Sequence, residues 1–158
     1  ITTLNAVYTG GALNTAARTI TGNAGSLTVG LGAGASGNTT GVLGAGLVLV
    51  DTGTATNDSL SLINNAVDTS TSGGGGLDVF AGYNVTSTGY ENVSINTGAV
   101  NHTTLSTGRN DIGTLTITPD ATTANVSLTA TGINALDINS LSTTSTGLKG
   151  GRQWQRLI

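Results

Sequence analysis

The chain has 158 residues, and Thr (30), Gly (25), Asn (15) and Ser (13) make up more than half of it. Charged residues are 8%, against roughly a quarter in an ordinary globular domain, and aromatics are 3%. Five Lys/Arg against eight Asp/Glu, a formal net charge of −3, cannot build the basic face of a nucleic-acid binder. One Glu is too few for helical bundles, no run approaches the roughly 18 to 20 apolar residues of a membrane span, and Gly without a three-residue period excludes collagen.

Disorder fits poorly, because disordered chains combine low hydrophobicity with high charge. Here 37% of residues are apolar, and they fall in short alternating runs. In chain order, the strand patterns are Ser26–Val29, Leu47–Val50, Ser59–Ile63, Leu77–Phe80, Glu91–Ile95, Thr114–Ile117, Asn125–Thr129 and Leu136–Ile138. Thr and Ser take one set of alternate positions and Leu, Val and Ile the other. Gly, Asn, Asp or Ser bracket each run, and these residues accept the backbone of tight turns. No window makes a convincing helix; Asn5 to Ala17 is the one stretch that could form a short one.

The expectation is therefore an all-β chain. A β-solenoid of parallel β-helix or β-roll type suits it best, since a narrow aliphatic interior needs few aromatics. A β-sandwich with antiparallel hairpins is the alternative, and such cores usually recruit large aromatics. Residues 1–147 read as one repeat-like domain, a piece of a longer secreted chain, because Ile1 opens without a signal-like segment and neither end resembles a cap. Residues 148–158, LKGGRQWQRLI, differ in composition from all that precedes them. They carry Lys149, Arg152, Arg156 and the sole Trp, Trp154, and read as a cloning remnant, with a docking peptide or the start of another domain as the alternative. With Cys absent, no disulfide framework is available.

The most specific local signal is Gly73-Gly74-Gly75-Gly76-Leu77-Asp78-Val79-Phe80-Ala81, which satisfies the G-G-x-G-x-D-x-U-x calcium-binding nonapeptide. Gly-rich turns let carbonyls converge, and one Asp adds a charged hard oxygen for Ca²⁺. A degenerate upstream copy, Gly53 to Leu60, keeps the Asn57-Asp58-x-Leu ending without the paired glycines. The candidate Ca²⁺ residues are thus Gly73, Gly75, Asp78, Asn57 and Asp58. The bland reading of the four glycines is a plain turn.

The succession GTATNDSLSL, GGGGLDVF and TGYENVSINTGAV resembles bacterial S-layer proteins and RTX-type calcium-binding surface adhesins. The element Gly89-Tyr90-Glu91-Asn92-Val93-Ser94-Ile95 is similar to the family's G-[FIY]-E-x-[VLM]-x-[VI]. Residues 112–147 resemble its Thr-rich strand repeats. The resemblance spans about residues 46–147 and implies secretion to the cell surface, a Ca²⁺-ordered solenoid, and assembly with copies of itself or adjacent repeats. A single nonapeptide stands where the family has a tandem array.

Catalysis finds little support. His102 is the only histidine and lies in a polar, turn-like stretch. Asp58, Asp68 and Asp78 recur at intervals of ten, which aligns them only if one repeat is that long. Sequons at Asn38, Asn57, Asn84, Asn92, Asn101 and Asn125 arise readily in so Asn- and Thr-rich a chain. The expected role is structural and non-enzymatic. A glycan-binding adhesin or phage-tail-type stalk is the alternative, and a β-helical polysaccharide lyase stands third.

Overall fold

A two-residue period sends successive side chains to opposite faces of a strand. The computed structural model of the chain describes residues 3–8, 17–22, 25–33, 45–65, 79–80, 82–98, 109–132 and 135–149, and among them there are eleven strands and no helix. They are β1 (Thr3–Tyr8), β2 (Arg18–Thr21), β3 (Ser26–Ala33), β4 (Leu47–Val50), β5 (Ser59–Asn64), β6 (Val85–Thr88), β7 (Asn92–Asn96), β8 (Arg109–Thr118), β9 (Asn125–Thr131), β10 (Ala135–Thr143) and β11 (Gly147–Lys149).

The strands divide by parity. Odd-numbered strands form one sheet in the order β1-β3-β5-β7-β9-β11, and even-numbered strands form a second in the order β10-β8-β6-β4-β2. Every pairing is parallel. The chain thus changes sheet after each strand and lays each strand beside the one two places earlier. Antiparallel hairpins, which the sandwich alternative uses, do not occur among the described strands.

In-register pairing turns the alternation into stacked rows. In the odd sheet Leu27, Leu60, Val93 and Leu128 stack, as do Val29, Leu62 and Ile95. In the even sheet Leu47, Val85 and Leu115 stack in the same way. All of these are buried in one core cluster to which both sheets contribute. Each such side chain contributes roughly 1.5–3 kcal/mol of hydrophobic stabilisation. Outside, Thr28, Ser61, Ser94 and Thr129 form one hydroxyl row, and Thr86 and Thr116 belong to another. Polar side chains also lie inside: Asn64 donates through Nδ2 to Asn110 Oδ1 at 2.8 Å, both side chains being buried.

The repeat is uneven, stepping 38 and then 30 residues from Leu47 to Val85 to Leu115. A ten-residue period is absent from these sheets, and Asp68 and Asp78 lie outside the described residues. Two local expectations change. Asn5 to Tyr8 are strand rather than helix, because Thr3–Tyr8 pairs along β3. Val79 and Phe80 are not strand, because the Phe80 carbonyl accepts the Tyr83 amide at 3.0 Å and closes a turn.

β8 is longer than its Thr114–Ile117 signal. Ile112 and Leu115 are both buried with two residues between them, so the alternation slips one step. Asn84 fixes the slip by accepting the Thr114 amide on Oδ1 at 2.9 Å. Gly113 is required there, since a Cβ would run into the Gly82 carbonyl. At the other end, β11 pairs with β9 and crosses the expected boundary at residue 147. No helix among the described residues is long and apolar enough to cross a membrane.

Candidate metal centre

The even sheet does not stop where its strands end. The Gly22 amide donates to the Val50 carbonyl, the Asp51 amide to Thr88, and the Gly89 amide to Thr118, each at 2.8 Å. Gly22, Asp51 and Gly89 therefore continue the ladder by one residue and stack at the start of successive turns into the odd sheet. Gly89 meets this packing with φ +80°, and a Cβ on it would lie 2.9 Å from the Asp51 Cβ and 3.3 Å from Asp120 Oδ1.

Across the same turns, Asp58 precedes β5, Glu91 precedes β7 and Asp120 follows β8. Glu91 is wholly buried. Its Oε2 accepts the Asp58 amide at 3.0 Å and its Oε1 accepts the Asp120 amide at 2.9 Å. The Asp58 carbonyl in turn accepts the amides of Glu91 at 3.0 Å and Asn92 at 2.9 Å. Glu91 thus spends its charge on two backbone amides from two other turns, and charge-assisted bonds of this kind are the strong ones.

This bracing brings three other carboxylates together. One oxygen from each of Asp51, Asp58 and Asp120 lies within 4.8 Å of the others. Asp51 and Asp58 are buried, while Asp120 is exposed. Both oxygens of Asp51 and Oδ2 of Asp58 are out of contact with water and have no hydrogen-bond partner. The Asp58 carboxyl is pushed up from 3.8 to about 6, first by burial, then by hydrogen bonding with Asp51, then by the negative charges of Asp51, Glu91 and Asp120. As two carboxylates, Asp51 and Asp58 have no proton to donate to each other; one shared proton turns their contact into a hydrogen bond.

Tyr90 lies between Gly89 and Glu91 in the same turn. Its side chain is wholly buried, its hydroxyl has no hydrogen-bond partner, and it occupies the space a Cβ would need at Gly22. Burial, then the charges of Asp51 and Asp58, push the phenol up to about 12.

No family model, no curated protein and no solved structure matches the chain.

Of the sequence-expected calcium residues, Asp58 stands in this cluster. Asn57 is exposed beside it, its carbonyl accepting Asn92 Nδ2 at 3.1 Å. Gly73, Gly75 and Asp78 lie outside the described residues, as does His102. Sequence reasoning passes over Asp51 and Asp120 and meets Glu91 and Tyr90 only within a strand motif. The available signal is position: Asp51 directly follows the Leu47–Val50 run, Asp58 directly precedes Ser59, and Asp120 follows Thr114–Ile117 within three residues.

Proposed function

We propose that the chain is a β-solenoid and serves as a structural module of a secreted, self-assembling bacterial cell-surface protein of S-layer-like type, ordered in part by Ca²⁺. The observation that supports this best is the pairing rule: each strand lies parallel to the one two places earlier, alternately in two sheets around one hydrophobic core. A chain wound in this way satisfies its backbone by stacking turn on turn. Its edge strands β1, β11, β2 and β10 present a template on which another repeat or another copy can continue the ladder. With only 8% charged residues, few like charges oppose such contact. The role is mechanical and non-catalytic.

Size-exclusion chromatography with light scattering, over a range of protein concentrations and with or without Ca²⁺, tests the reading. Concentration-dependent assembly that chelation reverses is the expected result. A chain that stays monomeric at every concentration and is retained on a glycan array overturns it in favour of an adhesin or stalk, for which the outward Thr and Ser rows would be the contact face.

A further inference from the structure

Three of the seven Asp in the chain converge on one corner between the sheets, and the only Glu lies directly behind them. The charges that act on Asp58 are all negative, from Asp51, Glu91 and Asp120. Glu91 has its own partners in two backbone amides; the other three acids do not share them. A buried carboxylate without a donor or a counter-charge is costly. Asp51 has two such oxygens and Asp58 has one. Independently, the Tyr90 hydroxyl is a neutral oxygen, wholly buried and without a partner, close enough to feel Asp51 and Asp58.

We propose that Asp51, Asp58 and Asp120 hold a single Ca²⁺ between the turns that follow β4 and β8, a site separate from the Gly73–Asp78 nonapeptide. The donor set is all hard oxygen, which selects Ca²⁺ or Mg²⁺ over softer metals. Mg²⁺ usually keeps several waters and takes one or two carboxylates, so a set of three carboxylates suits Ca²⁺. Oxygens that share a Ca²⁺ at about 2.4 Å lie at most ~4.8 Å apart, and the three carboxylate oxygens, all within 4.8 Å of one another, meet that limit as they stand. Because Asp120 is exposed, water can complete the six to eight oxygens that Ca²⁺ takes.

The ion ties turns far apart in sequence. Asp51 and Asp58 belong to the β4–β5 turn and Asp120 to the β8–β9 turn, and the β6–β7 turn, Gly89-Tyr90-Glu91, passes between them. Glu91 is a positioning residue, holding the backbone of two ligands without contributing an oxygen of its own.

The test is Ca²⁺ titration calorimetry on the whole chain after chelation and dialysis, together with Tb³⁺ emission excited through tyrosine. The proposal expects a Ca²⁺ bound with a dissociation constant of about 1 mM or tighter. Asp120→Asn, at an exposed position, should weaken that binding about ten-fold or more while leaving the unfolding transition cooperative. Asp51→Asn should abolish it, and should it fail to fold, Asp120→Asn decides. Asp78→Asn should leave it in place. Tyr90→Phe should lower the tyrosine-excited Tb³⁺ emission, with Tyr8, Tyr83 and Trp154 still present in the chain. Binding that follows Asp78 and ignores Asp120, or Tb³⁺ emission unchanged by Tyr90→Phe, overturns the proposal. So does a folded chain that takes up no Ca²⁺ at 10-fold above that concentration. The inference deepens the calcium part of the reading above and is independent of its assembly part. A chain that binds Ca²⁺ here yet never associates keeps the site and loses the surface-lattice role.

Discussion

Gly89 lies against Asp51 so closely that a Cβ on it would sit 2.9 Å from the Asp51 Cβ. Its amide meanwhile holds Thr118 at 2.8 Å and its φ is +80°. Gly82 has a similar φ of +72° but nothing within 4 Å of an added Cβ. The two glycines separate backbone strain from steric conflict. Gly82→Ala should cost roughly 1–2 kcal/mol, the penalty of a left-handed L-residue. Gly89→Ala should cost about 1–3 kcal/mol more, because Asp51 must also move. Urea unfolding of the pair measures the difference, and equal losses would mean that the turn yields freely and does not hold Asp51 in place.

Glu91 offers a second test, since each of its oxygens serves a different turn. In Glu91→Gln one oxygen becomes an NH₂ that faces a backbone amide donor instead of accepting from it. The expected loss is about 1–3 kcal/mol for the orphaned buried amide. Displacing Asp58 or Asp120 should also lower Ca²⁺ affinity by about 10- to 100-fold, the usual effect of disturbing a group behind a metal ligand. Calorimetry and denaturant unfolding report the two effects separately. A variant that loses stability but keeps its affinity shows Glu91 to brace the fold alone.

The metal-free chain should also show an unusual dependence on pH. Asp58 is raised from 3.8 to about 6, so between those values the folded chain keeps a proton that the unfolded chain has released. This contribution to stability is fully present below about 3.8 and is lost as pH rises through about 6. The groups facing Asp58 are Asp51, Glu91, Asp120 and the Tyr90 phenol, none of which supplies positive charge near neutrality. With chelator present, the difference in urea midpoint between wild type and Asp58→Asn should therefore shift against the wild type as pH climbs from 4 to 6.5. A difference that stays flat over that window would show Asp58 to titrate normally. Saturating Ca²⁺ should reverse the trend, because the ion replaces the proton.

Much of the fold is legible in the sequence because its signal is local. The runs Leu47–Val50, Ser59–Ile63 and Asn125–Thr129 each carry two inward aliphatic residues, and β4, β5 and β9 form on them. β6 leaves no such trace because its inward positions are Val85 and Ser87, and one apolar residue in four makes no period. β1 departs from its local pattern because Asn5 to Ala17 holds several helix-tolerant residues, while its conformation comes from pairing with β3. The acid corner is hidden for another reason. Asp51, Glu91 and Asp120 meet only once the stacking register is known, and that register steps unevenly from Leu47 to Val85 to Leu115. A cluster drawn from three turns leaves no fixed spacing in the chain.

The assembly reading makes its own prediction at the sheet edge. β10 pairs with β8 on one side and is the last strand of the even sheet among the described residues. Ser140 and Ser142 on β10 are exposed, and Ser142 stands in the outward row beside Thr116. An unpaired parallel edge associates through its backbone, and a protruding Lys blocks that approach through its bulk and the cost of desolvating its charge. Ser140→Lys with Ser142→Lys should therefore leave monomer stability within about 0.5 kcal/mol, as expected for exposed positions. The same pair should raise the concentration at which light scattering detects assembly by about ten-fold or more, equivalent to about 1.4 kcal/mol of association free energy. Salt screens charge but not bulk, so partial recovery at high ionic strength would separate the two contributions. Assembly that proceeds unchanged in the double variant would show that copies do not meet along β10 and would leave the opposite edge, at β2, as the place to substitute next.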